Sequence, residues 1–250
     1  MSDVDSYISA PAPDGFRRAY YFTSVDYGLS GIALRRLKVA RFSDANDPFE
    51  LLGVRLRDKQ VRKAVKDFKT ECNKTTGLLC FSQDWTKPIL WSYYAEKHKG
   101  VCLGFDLKAE LVKDVRYLPD REMVDFDKGT NAFVVEDELK ERLLITKSEH
   151  WIGEDEVRVI VDLKKEAKRN GQLYFRPFDS DMVLTRVILG PNCALDPQAV
   201  SDLVRVRHPQ AIAFRSRAEY GGFKVVFNKS DEQRVIEQIA EIEGTTLSAN

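Results

Sequence analysis

At 250 residues, with 43% hydrophobic and 31% charged side chains, the chain can close a sizeable core and keep a polar surface. Its 39 Lys and Arg offset 39 Asp and Glu, so no global field favours nucleic acid or an anionic membrane. No apolar run approaches the roughly 18–20 residues that span a bilayer, the acidic start lacks a secretory pattern, and the four cysteines form no Cys-x-x-Cys pair; a reduced, cytoplasmic protein with no membrane partner is expected.

Residues 1–15, with Pro11, Pro13 and Gly15, read as a loose arm, and 16–245 as one domain. Residues 19–23 read as a short aromatic strand containing Tyr20 and Tyr21. Leu29, Ile32, Ala33, Leu34 and Leu37 recur at helical spacing, which predicts a short helix. A strand at 38–43 then feeds the polar turn 44–48. Over 58–73, Val61, Ala64, Val65, Phe68 and Cys72 fall on one face of a helix whose Lys and Arg residues read as a solvated face or, alternatively, as a local basic groove for nucleic acid.

Strands are expected at 77–81 and 101–105, where Cys80 and Cys102 read as small buried hydrophobes. Between them a helix is expected over 88–98, with Pro88 in its first turn and Gly100 as its stop. A helix follows at 136–149. Val157, Val159 and Val161 alternate, the period-two signal of a strand over 156–162. Beyond it come a strand at 183–189, a helix at 197–204, strands at 211–215 and 223–227 about the Gly221-Gly222 turn, and an amphipathic helix at 231–242. Strands and helices mix without strict alternation. The expected fold is α+β, a central mostly antiparallel sheet flanked by helices.

Three segments concentrate chemistry. Asn46, Asp47 and Pro48 make a rigid polar loop able to present an amide and a carboxylate to ligand hydroxyls, or simply a well-made turn. In the second segment Ser82 ends a strand, and Trp91 and Tyr94 lie three residues apart, with His98 four further on. On a continuous helix these side chains share a side and could stack on an adenine or nicotinamide ring; the plainer reading is an aromatic core helix. In the third segment, a strand starting at Glu154 would point Glu154, Glu156 and Arg158 to one face. Two carboxylates and a guanidinium there can bind ribose hydroxyls, hold a cation or stabilise an oxocarbenium-like transition state. The plain alternative is a same-face ion pair. No His or Cys pair has zinc-ligand spacing, and no phosphate loop or nucleophile elbow is present.

These motifs, with Cys80-Phe81-Ser82, Gly100, Gly104-Phe105 and Trp151, resemble a bacterial family catalogued as domain of unknown function 2971. The resemblance covers most of residues 20–190 and implies stand-alone bacterial proteins with toxin or phage-defence roles. A looser resemblance runs to the ADP-ribosyltransferases. It implies NAD as cofactor, Glu156 as the late catalytic glutamate, Ser82 as the strand hydroxyl and Tyr20 or Tyr21 as the first-strand residue. Trp91 or Tyr94 would hold nicotinamide, Asn46 and Asp47 would fix ribose or target, and a protein or nucleic acid would be the acceptor, with an antitoxin or chaperone as partner. The chain departs from that family in lacking a first-strand Arg or His and a Ser-Thr-Ser run. Two rivals remain: a nuclease in which Asp47, Glu154 and Glu156 hold a divalent metal over a phosphate, and a non-catalytic module that recognises a nucleotide or a protein.

Overall fold

The computed structural model describes residues 3–124 and 133–248. In chain order they form α1 (Asp3–Ser9), β1 (Phe16–Thr23), α2 (Val25–Leu34), β2 (Arg36–Val39), α3 (Lys59–Thr75), β3 (Thr76–Ser82) and α4 (Pro88–Tyr94). Next come β4 (Val101–Lys108), β5 (Val112–Asp114), β6 (Arg116–Leu118), α5 (Asp137–Leu144), β7 (Thr146–Ser148), β8 (Glu156–Asp162), β9 (Lys168–Asn170) and β10 (Leu173–Pro177). The last stretch carries β11 (Met182–Leu189), α6 (Pro197–Arg207), β12 (Ile212–Ala218), β13 (Val225–Phe227) and α7 (Glu232–Ser248).

The class is α+β, built on a mostly antiparallel sheet flanked by helices. The chain divides into two compact units, Met1–Leu37 with Phe81–Glu110 and Pro177–Asn250, and Lys38–Cys80 with Leu111–Arg176.

In the first unit β1 lies antiparallel to β4 from Phe16↔Lys108 to Thr23↔Val101. β4 is antiparallel to β11, and β11 runs parallel to β12, with α6 as the crossover between them. β13 closes the order as an antiparallel neighbour of β12. One side of these strands buries Tyr20, Cys102, Ile188 and Phe214 with Trp91 of α4 and Val235 of α7. The other carries an edge-on aromatic series, Tyr21–Phe81, Phe81–Phe105 and Phe105–Phe178, that ends near His208. His208 Nε2 donates to the Ile32 carbonyl at 2.9 Å, and burial lowers its pKa.

The expected arm is in part helix α1. Val4 and Ile8, one turn apart, are buried in the Tyr20–Trp91 cluster, and that burial stabilises a helix too short to persist alone.

The helix expected over 88–98 stops at Tyr94. Glu96, Lys97 and His98 follow with φ of 48°, 56° and 71°, all left-handed. The turn closes through hydrogen bonds from His98 N to Trp91 O (3.0 Å) and from Gly100 N to Ala95 O (2.8 Å). A Cβ on Gly100 would sit 2.2 Å from the Thr23 carbonyl oxygen, so only glycine fits this approach of turn to strand.

The second unit contains the order β3-β8-β5, with β8 antiparallel to β5. α3 starts at Asp58, whose carboxylate accepts from Gln60 N and Val61 N, and its expected apolar stripe is the buried one. Val61, Val65 and Cys72 pack in one cluster with Leu51, Val54, Leu78, Leu139 and Leu143. β6 and β7 form a parallel pair through Tyr117↔Lys147. The β9–β10 hairpin was not expected, because Lys168, Arg169 and Asn170 are all exposed and leave no alternation to read. Cys80, expected to be buried, is the one exposed residue of β3.

Candidate functional site

The second unit buries an ionic cluster. Lys147 of β7 reaches the Glu154 carboxylate and Glu156 Oε2, the latter at 2.8 Å. Arg158 donates from Nε to Glu156 Oε1 (2.8 Å), and from Nη1 and Nη2 to Glu50 Oε1 (2.6 Å) and Oε2 (3.0 Å). Arg158 Nη1 also donates to the Leu144 carbonyl at 2.8 Å. All five side chains are less than one-tenth exposed. β8 spans the expected 156–162, and Glu154 lies ahead of it, not in it. Glu154 ends a 3-10 turn, and Asp155, at φ 48°, reverses the chain so that both flanking carboxylates meet the one ammonium.

Burial would raise the Glu156 carboxyl, but Arg158 and Lys147 outweigh it and hold the group down at about 2. Burial would lower the Lys147 ammonium, and Glu156 and Glu154 outweigh that and raise it. Arg158, buried between Glu156 and Glu50, is likewise raised well above its ordinary value. At neutral pH all three are fixed charges. Cys80 is reachable by solvent, yet burial among neighbouring protein atoms and the Glu156 carboxylate push its thiol up, so it is not a thiolate.

Beside this cluster lies a cavity of about 220 Å³. Its lining includes Thr146, Lys147 and Ser148 of β7, Leu118 at the end of β6 with Pro119, Asp120 and Arg121 after it, and Phe49. Phe49 is 54% exposed, and the Arg121 guanidinium carbon lies 5.1 Å from its ring centroid. Lys147 Nζ sits 4.9 Å from the centroid of Trp151. Asp47 shapes the approach to Phe49: its Oδ1 accepts from Phe49 N at 2.9 Å, an Asx turn. Leu51, at φ 63°, completes the bend, so Phe49 lines the cavity while the adjacent Glu50 goes to Arg158.

Glu154, Glu156 and Arg158 are therefore brought together, as anticipated, with Asp47 as the nearby turn-former and Asn46 exposed on the same loop. The other anticipated residues lie in the first unit. Trp91 is fully buried, its Nε1 donates to Trp85 O at 2.7 Å, and Phe22 packs edge-on against it at 5.2 Å. No face of that ring is open to a ligand, which corrects the stacking role. Tyr94 is half-buried at the end of α4, edge-on to Tyr93. His98 has left the helix for the left-handed turn, so it does not share a helix side with Tyr94. The buried Ser82 hydroxyl accepts from Asp84 N at 3.2 Å and donates to Asp84 O at 3.3 Å, a local turn. Tyr21 belongs to the aromatic series behind β1.

Sequence reasoning missed Lys147 and gave Glu50 no role. Lys147 lies in a polar three-residue strand without periodicity. Glu50 stood inside the first motif, but only long-range folding pairs it with Arg158. The three carboxylates of the nuclease reading are likewise engaged, two with Lys147 and Asp47 with its own turn. Among the described residues no group of three His, Cys, Asp or Glu side chains is arranged to hold a metal.

Residues 90–159 match a family described as Protein of unknown function (DUF2971). That stretch includes Lys147, Glu154, Glu156 and Arg158 but neither Phe49 nor Glu50. No curated protein and no solved structure matches the chain.

Proposed function

We propose that the protein binds a nucleotide in the cavity over Lys147 and that NAD is the nucleotide it handles. The observation that carries this reading is that one lysine both lines the cavity and is clamped by two buried carboxylates. Thr146 and Ser148 bring hydroxyls to the same lining, a donor and acceptor set suited to ribose hydroxyls, with the charge of Lys147 fixed beside them by Glu154 and Glu156. The exposed Phe49 ring supplies aromatic surface for a base, and Arg121, stacked on one side of that ring, supplies a cation for a phosphate at the mouth. The volume of about 220 Å³ is below that of a drug-sized site, so it takes a ring with its sugar and leaves the rest of a dinucleotide outside.

The catalytic form of the proposal is ADP-ribosyl transfer, in a bacterial toxin or phage-defence effector. Breaking the nicotinamide–ribose bond places positive charge on the ribose, which a permanently ionised carboxylate stabilises. Glu156 is such a carboxylate. Both its oxygens are engaged by Lys147 and Arg158, so it would act through its field and by positioning Lys147, not by taking a proton. This differs from a glutamate that contacts the sugar directly.

Titration of the purified chain with NAD, ADP-ribose and nicotinamide mononucleotide tests binding, and release of free nicotinamide tests transfer or hydrolysis. The expected result is saturable binding that Phe49→Ala weakens at least tenfold with the fold intact. Failure of every nucleotide to bind a folded sample would overturn the reading. Binding without nicotinamide release would leave a recognition module and remove the enzymatic form.

A further inference from the structure

The first unit buries a second group of charges, away from any role above. Arg186 of β11 is 3% exposed, and no carboxylate lies within ion-pairing distance of it among the described residues. Its Nη2 donates to the Tyr7 carbonyl at 2.8 Å, its Nη1 reaches Thr185 Oγ1 at 3.3 Å, and its Nε has no partner. The one buried carboxylate nearby, Asp106, is taken by the fork of Arg18 at 2.7 and 2.8 Å. Arg18 in turn directs Nη1 to the Ala10 carbonyl. A buried guanidinium without a counter-ion is costly, and an anion placed against it would offset that cost.

The backbone is bent to produce this arrangement. β11 slips register against β4 between Leu184, opposite Phe105, and Arg186, opposite Gly104. Without that bulge Arg186 would share the face of Leu184; with it, Arg186 faces the side of Tyr20, which also pairs with Gly104. Gly104 is part of the device. A Cβ there would lie 3.0 Å from Arg186 Cβ and 3.2 Å from the Tyr20 ring, so a side chain would crowd both. The Tyr20 hydroxyl has no hydrogen-bond partner among the described residues, and burial pushes it up to about 12, so it is a donor at neutral pH. Burial and the Arg18 charge push the Arg186 guanidinium down to about 10, which still leaves it cationic.

We infer that Arg18, Tyr20 and Arg186 form a binding site for a phosphoryl group, and that the Tyr7 and Ala10 carbonyl oxygens occupy it in the closed state. The Arg186 guanidinium, Arg18 Nη1 and the Tyr20 phenol can each donate to an anion while Asp106 keeps the rest of the Arg18 fork, and a phosphoryl group offers the several oxygens they need. The two carbonyls come from one short segment, α1 and the residue following it. That segment is held by Val4, Ile8 and the Tyr7 ring, which lies 5.9 Å from the Arg186 guanidinium carbon. Ligand binding exchanges two neutral acceptors for a charged one and displaces α1, which couples site occupancy to release of the helix.

The test is hydrogen exchange of the full chain with and without inorganic pyrophosphate or ADP. Pyrophosphate is expected to speed exchange of the 4–10 amides at least tenfold, and Arg186→Lys, which keeps the charge but loses the fork, to abolish that response. Ile8→Ser loosens α1 and is expected to tighten pyrophosphate binding at least fivefold, because the competent state is more populated. A response to pyrophosphate and ADP alike assigns the site to the phosphoryl group itself, and a response to ADP alone assigns it to a nucleotide's phosphates; both support the inference. It is overturned if neither ligand alters exchange at 4–10 and Ile8→Ser gains no affinity, whatever the stability of the Arg186 variant.

Discussion

Arg158 and Glu50, 108 residues apart, meet in a two-pronged fork with oxygens at 2.6 and 3.0 Å, both side chains almost wholly buried. This contact joins the first polar motif to the third, and Phe49, next to Glu50, lines the Lys147 cavity. Removing one partner strands the other as a buried charge, so the pair is more costly to break than to replace.

Arg158→Met is therefore expected to destabilise the fold by about 3–5 kcal/mol, and Glu50→Gln by less, because Glu156 still serves Arg158. Urea unfolding measures both. An Arg158→Met loss under about 1 kcal/mol would show that the cluster is not closed in solution.

The pH dependence follows from Glu156. Its folded pKa, about 2, lies below the unfolded value near 4.3, so its stabilisation is complete above roughly pH 5 and fades as pH falls towards 2. The full swing is about 3 kcal/mol. Glu156→Gln should remove most of this acid-side slope in the urea midpoint. Lys147 runs the other way: its raised pKa makes its contribution present below about pH 10 and lost above.

Phe49→Ala separates binding from stability. The ring is 54% exposed, so stability should move by under about 1 kcal/mol while nucleotide affinity drops at least tenfold by titration. A large loss of stability instead would make Phe49 a structural residue.

Trp91→Ala should do the converse. The indole is fully buried and hydrogen-bonded, so its removal costs about 3–5 kcal/mol. Lysate-independent denaturant curves and nucleotide titration on the same sample check that residual folded protein keeps its affinity.

Gly100→Ala places a Cβ against the Thr23 carbonyl and is expected to cost at least about 2 kcal/mol, with near-ultraviolet dichroism changed around α4.

What could be read from residues alone was what local periodicity encodes. The stripe of Val61, Val65 and Cys72 makes α3 wherever it packs, and Val157, Val159 and Val161 make β8. Glu154, Glu156 and Arg158 are visible as a chemical group; alternation along β8 puts Glu156 and Arg158 together, while Glu154 joins them through the left-handed Asp155 turn. The helix over 88–98 misled because helical spacing continues past Tyr94, while the close approach of Gly100 to Thr23 ends it. Lys147, Glu50 and Arg186 gained their meaning only from tertiary structure. A charge in a short polar strand looks solvated until folding decides whether water or a carboxylate lies beside it, and that choice depends on segments tens of residues away.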